Sequence, residues 1–452
     1  MNALTCFKSY DVRGKVPQEL NEDTAYKIGF AYVKQQQANI VAVGYDIRLT
    51  SHSLCDSLAK GIMDAGADVM HIGQCGTEEI YFAAFNEKVD GGIVVTASHN
   101  PKNYNGMKFV GKGALPISGD TGLLEIKALA EGNNFTPNNL VGCPTYIDTS
   151  PQYIEHLLSY INVATLPKLK IVVNAGNGGA GKIIDLLEPH LPFEFIKIQH
   201  EPDGNFPNGV PNPLLEENRL TTQQAIIEHK ADMGIAWDGD FDRCFFFDEK
   251  GEFIEGYYLV GLLAKTLLQH NPGGKIVYDP RLYWNTIDIV EQAGGVPVKS
   301  KTGHAFIKEK MRAENAIYGG EMSAHHYFKE FAYCDNGNIP WLLICELMGV
   351  TGKPISSLVS ERQALFPCSG EINLRVGDAN LILTELEKHY ADQVSEYDRT
   401  DGLGMTFDNW RFNVRMSNTE PLLRINIESR ADTPLMKTKT QEVLDFIHAL
   451  ND

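Results

Sequence analysis

Asp238-Gly-Asp-Phe-Asp242 carries three carboxylates at i, i+2 and i+4, directly after the apolar run Met233–Trp237. In an extended or turning loop, alternate side chains can converge on one point, and three crowded carboxylates repel unless a cation lies among them. Mg²⁺ suits such a set, because it takes a few carboxylates and completes its octahedron with water or phosphate. The same spacing also fits a solvated acidic turn. An EF-hand loop is a poor match: Arg243 stands where its sharp turn needs Gly, and a strand precedes. Thr96-Ala-Ser-His-Asn-Pro101 ends another apolar run. Ser98, beside His99 and ahead of Pro101, is a hydroxyl on a stiff turn. It can carry a phosphoryl group if the charge around it is neutralised, or it can be an N-cap or turn residue. No GxSxG elbow is present. Ser417-Asn-Thr-Glu-Pro421, between Arg415 and Arg424, reads as a phosphate cradle or as a polar hairpin turn flanked by two strand arginines. Gly176-Asn-Gly-Gly-Ala-Gly181 matches the dinucleotide pattern G-x-G-x-x-G. Without a second mononucleotide half or a hydride-transfer site, it reads instead as a tight strand-to-helix crossover needing small residues.

The elements that must hold these loops repeat. Ile40–Asp46, Ile171–Asn174 and Ile276–Asp279 are short buried-strand patterns. Each is followed by a helical stretch (Ser51–Ala65, Lys182–Leu187, Asn285–Gln292) and a second strand (Ala67–Ile72, Phe193–Ile198, Val296–Lys299). Each unit closes on an apolar run ending in one polar loop, namely Gly92–Pro101, Met233–Arg243 and Ala316–His326. Ligands of such sheets sit beyond the carboxyl ends of the strands, where these loops lie. The last stretch differs. Glu371–Val376, Trp410–Val414 and Leu422–Ile427 alternate apolar and polar, and a helix near Pro434–Leu450 follows. The expected fold class is α/β, with three related mixed-sheet domains (1–145, 146–250, 251–366) and a C-terminal α+β domain (367–452). That count agrees with 452 residues at about 150 per domain.

Charge and composition narrow the partners. Forty basic against 58 acidic residues give a net charge of −18, which would repel a polyphosphate backbone, so nucleic acid is not an expected partner. A phosphorylated substrate would need a local cluster of Lys and Arg. No apolar run approaches a membrane span of about 18 residues; Tyr257–Ala264 and Ile339–Cys345 fit core elements, and no membrane partner is expected. The early charges Lys8, Asp11, Arg13 and Lys15 do not fit a signal-peptide core. Eight cysteines without a CxxC pair fit reduced thiols in a cytoplasmic protein.

Taken together the loops resemble the α-D-phosphohexomutase family, which includes phosphoglucomutases and phosphomannomutases. Tyr10-Asp-Val-Arg-Gly14 resembles its amino-terminal YDxRG, Thr96–Pro101 its phosphoserine loop, and Asp238–Arg243 its metal loop. Gly320–His325 resembles its sugar loop and Arg415–Pro421 its phosphate loop. The resemblance implies four domains around a central active-site cleft and an enzyme resting as a phosphoserine. Ser98 would hold the phosphoryl group, and Asp238, Asp240 and Asp242 would bind Mg²⁺ with an oxygen of phosphorylated Ser98. Arg13, His99, Lys108, Arg243 and His325 would form the catalytic surround. Tyr10, Arg281, Thr302, Gly303, His304, Glu321 and Ser323 would line the sugar side, and Arg415, Ser417, Asn418 and Thr419 would grip the distal phosphate.

The implied reaction moves a phosphoryl group from Ser98 to a hexose monophosphate, giving a 1,6-bisphosphate that turns over and returns the other phosphate. Hexose 1,6-bisphosphate is the expected activator, and the terminal domain is expected to swing closed on substrate. Met322 and His325-His-Tyr-Phe328 favour the bacterial phosphomannomutase branch, interconverting mannose 6-phosphate and mannose 1-phosphate and feeding GDP-mannose and surface polysaccharide synthesis. Phosphoglucomutase activity is the close rival, and a haloacid-dehalogenase-like sugar phosphatase using Asp238 as nucleophile is the alternative of another class. Monomer and dimer both remain open. Two departures from the family pattern stand out: Phe241 and Ala324 occupy positions where Gly is frequent among relatives.

Overall fold

The computed structural model describes residues 3–132, 134–416 and 422–451. Its first sheet contains β1 (Val12–Lys15), β2 (Ile40–Tyr45), β3 (Asp68–Gln74), β4 (Gly91–Val95), β5 (Tyr104–Gly111) and β6 (Pro144–Tyr146). In space they run β1-β5-β4-β2-β3-β6. The strands β4, β2, β3 and β6 are parallel, while β5 returns antiparallel to β4 and β1 is antiparallel to β5. Val41, Ala42 and Val43 of β2 and Ile93, Val94 and Val95 of β4 are buried. Strands covered on both faces read as continuous apolar runs, which is why these two were legible.

On one face lie α1 (Glu22–Gln36) and α2 (Ser51–Asp64). Their contact is set by two glycines. A Cβ on Gly29 would lie 2.2 Å from the Leu58 carbonyl oxygen, and one on Gly61 would lie 2.0 Å from that of Tyr26. The backbones therefore touch where no side chain fits. Between β3 and β4 runs α3 (Thr77–Asn86), whose residues Thr77 to Ala84 are all buried. With no solvent face it has no amphipathic period, so the sequence gives little sign of it.

The second sheet repeats the plan. It contains β7 (Lys170–Asn174), β8 (Glu194–Ile198), β9 (Met233–Trp237) and β10 (Cys244–Phe247). β8, β7 and β9 are parallel, and β10 folds back antiparallel on β9. In both sheets the loop of interest joins the last parallel strand to its antiparallel return. These sheets belong to one compact unit, which comprises the chain up to Phe253 together with His325–Gly352.

A second unit holds Ile254–Ala324 and the chain from Lys353 onward. There Val296–Lys299, Lys275–Tyr278 and Tyr318–Gly320 form parallel strands. A separate antiparallel sheet runs Ile372–Arg375, Leu422–Ser429, Trp410–Met416, Leu403–Thr406, Glu396–Asp398. The helices Ala379–Tyr390 and Thr433–Asn451 cover it, packing Leu386 and Val443 into a core with Phe412 and Ile425. The chain thus has three α/β domains and a C-terminal α+β domain. The apolar runs at 257 and 339 are core helices, Gly256–His270 and Ile339–Thr351, and most of their residues are buried. Among the described residues no single helix is long and apolar enough to cross a membrane.

Replacing Gly61 by Ala should force α1 and α2 apart despite Ala's better helix propensity. A loss of about 1–3 kcal/mol is expected from overpacking, measured as a lower urea midpoint; an unchanged midpoint would contradict the backbone contact.

Candidate active site

Ser98 lies two residues beyond the Thr96 that ends the β4 run, with φ of 49°. That left-handed conformation is costly for a residue with a Cβ and persists only when its surroundings over-determine it. The determinants are visible. Thr96 Oγ1 accepts the Ser98 N–H at 3.0 Å and donates to Asp46 Oδ2 at 2.6 Å. Arg48, almost wholly buried, donates to the carbonyls of Ser98 (2.8 Å), Asn100 (2.6 Å), Pro101 (2.9 Å) and Tyr104 (3.0 Å). Sequence reading missed Arg48, because one strand-end arginine carries no motif. The frame aims the Ser98 hydroxyl at the acidic loop: Oγ donates to Asp238 Oδ2 at 2.8 Å.

Asp238, Asp240 and Asp242 follow β9, all essentially inaccessible to solvent. They offer carboxylate oxygens within 4.8 Å of one another. Each uses one oxygen on protein donors. Asp238 Oδ2 receives Arg243 Nε at 3.0 Å, Asp240 Oδ2 receives Lys108 Nζ at 2.7 Å, and Asp242 Oδ2 receives the same ammonium at 2.5 Å. The other oxygen of each, Oδ1, has no hydrogen-bond partner among the described residues. Three buried, clustered carboxylates, each with one oxygen free of hydrogen bonds among the described residues, form an all-oxygen donor set that fits a hard divalent cation. Lys108 and Arg243 offset two of the three negative charges. Burial, and then the charge of Asp240, pushes the Asp242 carboxyl up to about 7, whereas Lys108 holds Asp240 below the usual range.

The remaining predicted catalytic residues of this unit surround that cluster. Arg243 Nη2 is 3.3 Å from Ser98 Oγ and 2.5 Å from His99 Nδ1. Burial and the charges of Arg243 and Arg13 hold His99 well below its ordinary value, so the ring is neutral and Nδ1 accepts. Lys108 is shifted the other way, locked as an ammonium between Asp240 and Asp242 despite its burial. Arg13, on β1, is paired with Asp11 (2.8 Å) and donates to Asn100 Oδ1 (2.6 Å). Tyr10 stands at the bend just before β1. His325 Nε2 lies 3.8 Å from Asp242 Oδ1.

Phe241 also has a left-handed φ, 48°. Its ring is buried against two glycines. A Cβ on Gly76 would lie 2.2 Å from the ring and one on Gly179 would lie 2.7 Å from it. Packing offsets the backbone cost. The G-x-G-x-x-G run is explained by the same contact. Gly178 and Gly179 pack against Gly239 and Phe241 of the acidic loop, so its small residues admit that loop.

Glu78 was also illegible in the sequence. Wholly buried on α3, it accepts from the Gly337 N–H (2.7 Å), Asn338 Nδ2 (2.5 Å) and the Tyr153 hydroxyl. Gly337 in turn accepts Trp237 Nε1 at 3.0 Å and packs on the backbone of Phe241 and Arg243. No local motif marks such a residue, because its partners are 75 to 260 positions away.

In the second unit, the residues predicted for the sugar side lie after parallel strands. Asp279 and Arg281 follow Lys275–Tyr278, Thr302 to His304 follow Val296–Lys299, and Glu321 and Ser323 follow Tyr318–Gly320. Glu321 Oε1 accepts the Gly303 N–H at 2.7 Å. Arg281 is fully buried, bidentate to Asp279 and bonded to Glu371, so it braces the loops around it. Arg415 and Arg424 face each other in register on neighbouring strands. Arg415 is buried with its charge disfavoured by burial and by Arg281 and Arg424, and its Nε has no hydrogen-bond partner among the described residues. Acidic groups stand beside both arginines: Asp401 lies 3.8 Å from Arg415 Nε and Glu371 lies 3.4 Å from Arg424 Nη1. Ser417, Asn418 and Thr419 lie outside the described residues.

Family models for the phosphoglucomutase/phosphomannomutase α/β/α domains I, II and III match residues 5–136, 151–251 and 255–366, and the model of its C-terminal domain matches 371–445. A phosphomannomutase of Salmonella montevideo is 58% identical, covering 99% of this chain and 100% of its own. One from Escherichia coli K12 is 57% identical, with the same coverage. The crystal structure of a phosphoglucomutase/phosphomannomutase family protein from Burkholderia thailandensis superposes with a TM-score of 0.89 at 31% identity, covering 99% of this chain and 98% of that one. With a serine hydroxyl held against three buried carboxylates, and with all four domain models matched in order, the chain belongs to the phosphoglucomutase/phosphomannomutase family.

Proposed function

We propose that this chain interconverts mannose 6-phosphate and mannose 1-phosphate, with Ser98 as the residue that carries and returns the phosphoryl group. The observation that carries the reading is Ser98 itself, strained, buried and 2.8 Å from Asp238, with Arg243 on its oxygen. Mannose as the sugar is supported by full-length identity of 57–58% to proteins named phosphomannomutase. Absence of any disulfide among the eight described cysteines accords with a cytoplasmic setting.

Asp238, Asp240 and Asp242, with an oxygen of phosphorylated Ser98, are the residues that would hold Mg²⁺, which when bound supplies charge neutralisation for the phosphoryl group. The chain's own residues do the rest. A hexose hydroxyl forms the new O–P bond as the Ser98 Oγ–P bond breaks; the hydroxyl's proton leaves and the serine oxygen recovers one. Arg243 Nη2, facing Oγ, stabilises the charge that gathers there. Lys108, fixed as an ammonium by two carboxylates, acts by charge rather than as a base. Neutral His99 adds no further charge against Arg243. In the second unit Glu321 and Ser323 suit sugar hydroxyls, and Arg415 with Arg424, in register on neighbouring strands, suit a phosphate. One basic pocket serves both directions, because both ends of a hexose 1,6-bisphosphate are phosphates. That bisphosphate is the activator this mechanism requires.

Ser98→Ala should lower kcat by at least about 10³-fold and remove the phosphoryl adduct from the intact-protein mass. Retained turnover would defeat the assignment. Arg243→Lys should cost about 10²-fold or more in kcat with little change in KM, read from steady-state kinetics. kcat/KM should favour mannose 1-phosphate over glucose 1-phosphate; equal values would remove the mannose preference and leave the mutase reading intact.

A pH dependence follows from Asp242. Its carboxyl, raised to about 7 by burial and by Asp240, keeps a proton at lower pH that a cation must displace. Mg²⁺ affinity should therefore rise from pH 6 towards pH 8 and then level off, with proton uptake by buffer at pH 6, measured by calorimetry in two buffers.

A further inference from the structure

We infer that Thr77, at the first position of α3, is the positioning residue that orients Asp240 for the cation, and that the turn Gly76-Thr77 is the template on which the acidic loop is set. Three contacts carry this. The Thr77 hydroxyl donates to Asp240 Oδ2 at 2.6 Å. The Thr77 backbone N–H donates to the Asp240 carbonyl at 3.3 Å. Gly76 receives the Phe241 ring so closely that no Cβ could be added there. The turn thus grips two consecutive residues of the acidic loop, from an element 163 residues away in the chain.

The hydroxyl has a defined job. Thr77 Oγ1 accepts from Lys108 Nζ at 3.2 Å while it donates to Asp240. Its single proton is therefore directed at Oδ2, and its lone pair is occupied by the ammonium. Asp240 Oδ2 then holds two donors, Thr77 and Lys108, which leaves Oδ1 as the oxygen without a hydrogen bond among the described residues, available to a cation. Without the hydroxyl, Lys108 alone would hold Asp240, and it is shared with Asp242. A carboxylate held by one mobile ammonium can rotate, and rotation exchanges its two oxygens. Outer partners that fix a ligand's orientation typically contribute about 10- to 100-fold in metal affinity.

The turn is itself anchored. Gly76 caps α3 and its N–H donates to Glu79 Oε2 at 2.9 Å. Glu78, the next residue after Thr77, is tied to Gly337 and Asn338. Thr77 therefore sits on a backbone that cannot follow Asp240 if the loop shifts, which is what a positioning residue requires.

The inference rests on the metal reading of the Asp trio, and one calorimetric series separates the two. Mg²⁺ is titrated into the full-length enzyme, freed of phosphate at Ser98, for wild type, Thr77→Val, Thr77→Ser and Asp240→Asn. If wild type and Asp240→Asn take up Mg²⁺ equally, the metal reading fails and this inference falls with it. If wild type binds and Asp240→Asn does not, Thr77→Val should bind about 10- to 100-fold more weakly, and Thr77→Ser, which keeps the hydroxyl, should regain most of that affinity. The KM for hexose phosphate should stay near wild type while the Mg²⁺ activation constant rises. Thr77→Val with wild-type affinity overturns the inference, as does Thr77→Ser as weak as the valine variant. Thermal melting accompanies each protein. Should Thr77→Val not fold, Thr77→Cys, with a weaker donor, takes its place under the same criteria.

Discussion

Three carboxylates buried at the end of one strand repel each other, and much of the first unit can be understood as the means of keeping them there. An unpaired buried charge is expensive, so each of the three is half-satisfied by a fixed cation or donor: Arg243 on Asp238, Lys108 on Asp240 and Asp242, Thr77 on Asp240. The compensation is deliberately incomplete. One oxygen of each carboxylate is left without a hydrogen bond among the described residues, which suits the proposed divalent cation. A fully paired trio would be more stable and chemically inert.

The same economy shows in the backbone. Ser98, Phe241 and Ala324 each take a left-handed φ within a loop after a parallel strand. At two of them the specific support is visible. Arg48 binds four carbonyls of the Ser98 loop, and the ring of Phe241 fills the space that Gly76 and Gly179 leave. Phe241 and Ala324 both stand where a residue without Cβ would be unstrained. At 241 the ring contributes burial in return.

Topology explains why these loops rather than others come together. In a parallel strand–helix–strand unit the carboxyl ends of the strands share one edge, so loops distant in sequence emerge side by side. Ser98, at the end of β4, and Asp238, at the end of β9, come from different sheets yet meet at 2.8 Å. The antiparallel returns β5 and β10 then bring Lys108 and Arg243 back to the same cluster. In the second unit the same edge gathers Asp279, Gly303 and Glu321 around Arg281.

Read alone, the residues pointed to the chemistry and determined the repeat. Asp238-Gly-Asp-Phe-Asp242, Thr96–Pro101 and the basic turn after Arg415 are local patterns, and short apolar runs with helical stretches between them are a local signature of parallel sheets. Tertiary structure decided what has no local signature. Arg48, Thr77 and Glu78 act on partners about 50 to 260 residues away, and α3 is buried too completely to show a polar face. Whether the glycine run at 176 meets a nucleotide or a neighbouring loop is likewise a question of what lies opposite it. Hydrogen bonding and close packing are set by proximity in space, and proximity between distant segments exists only once the chain has folded.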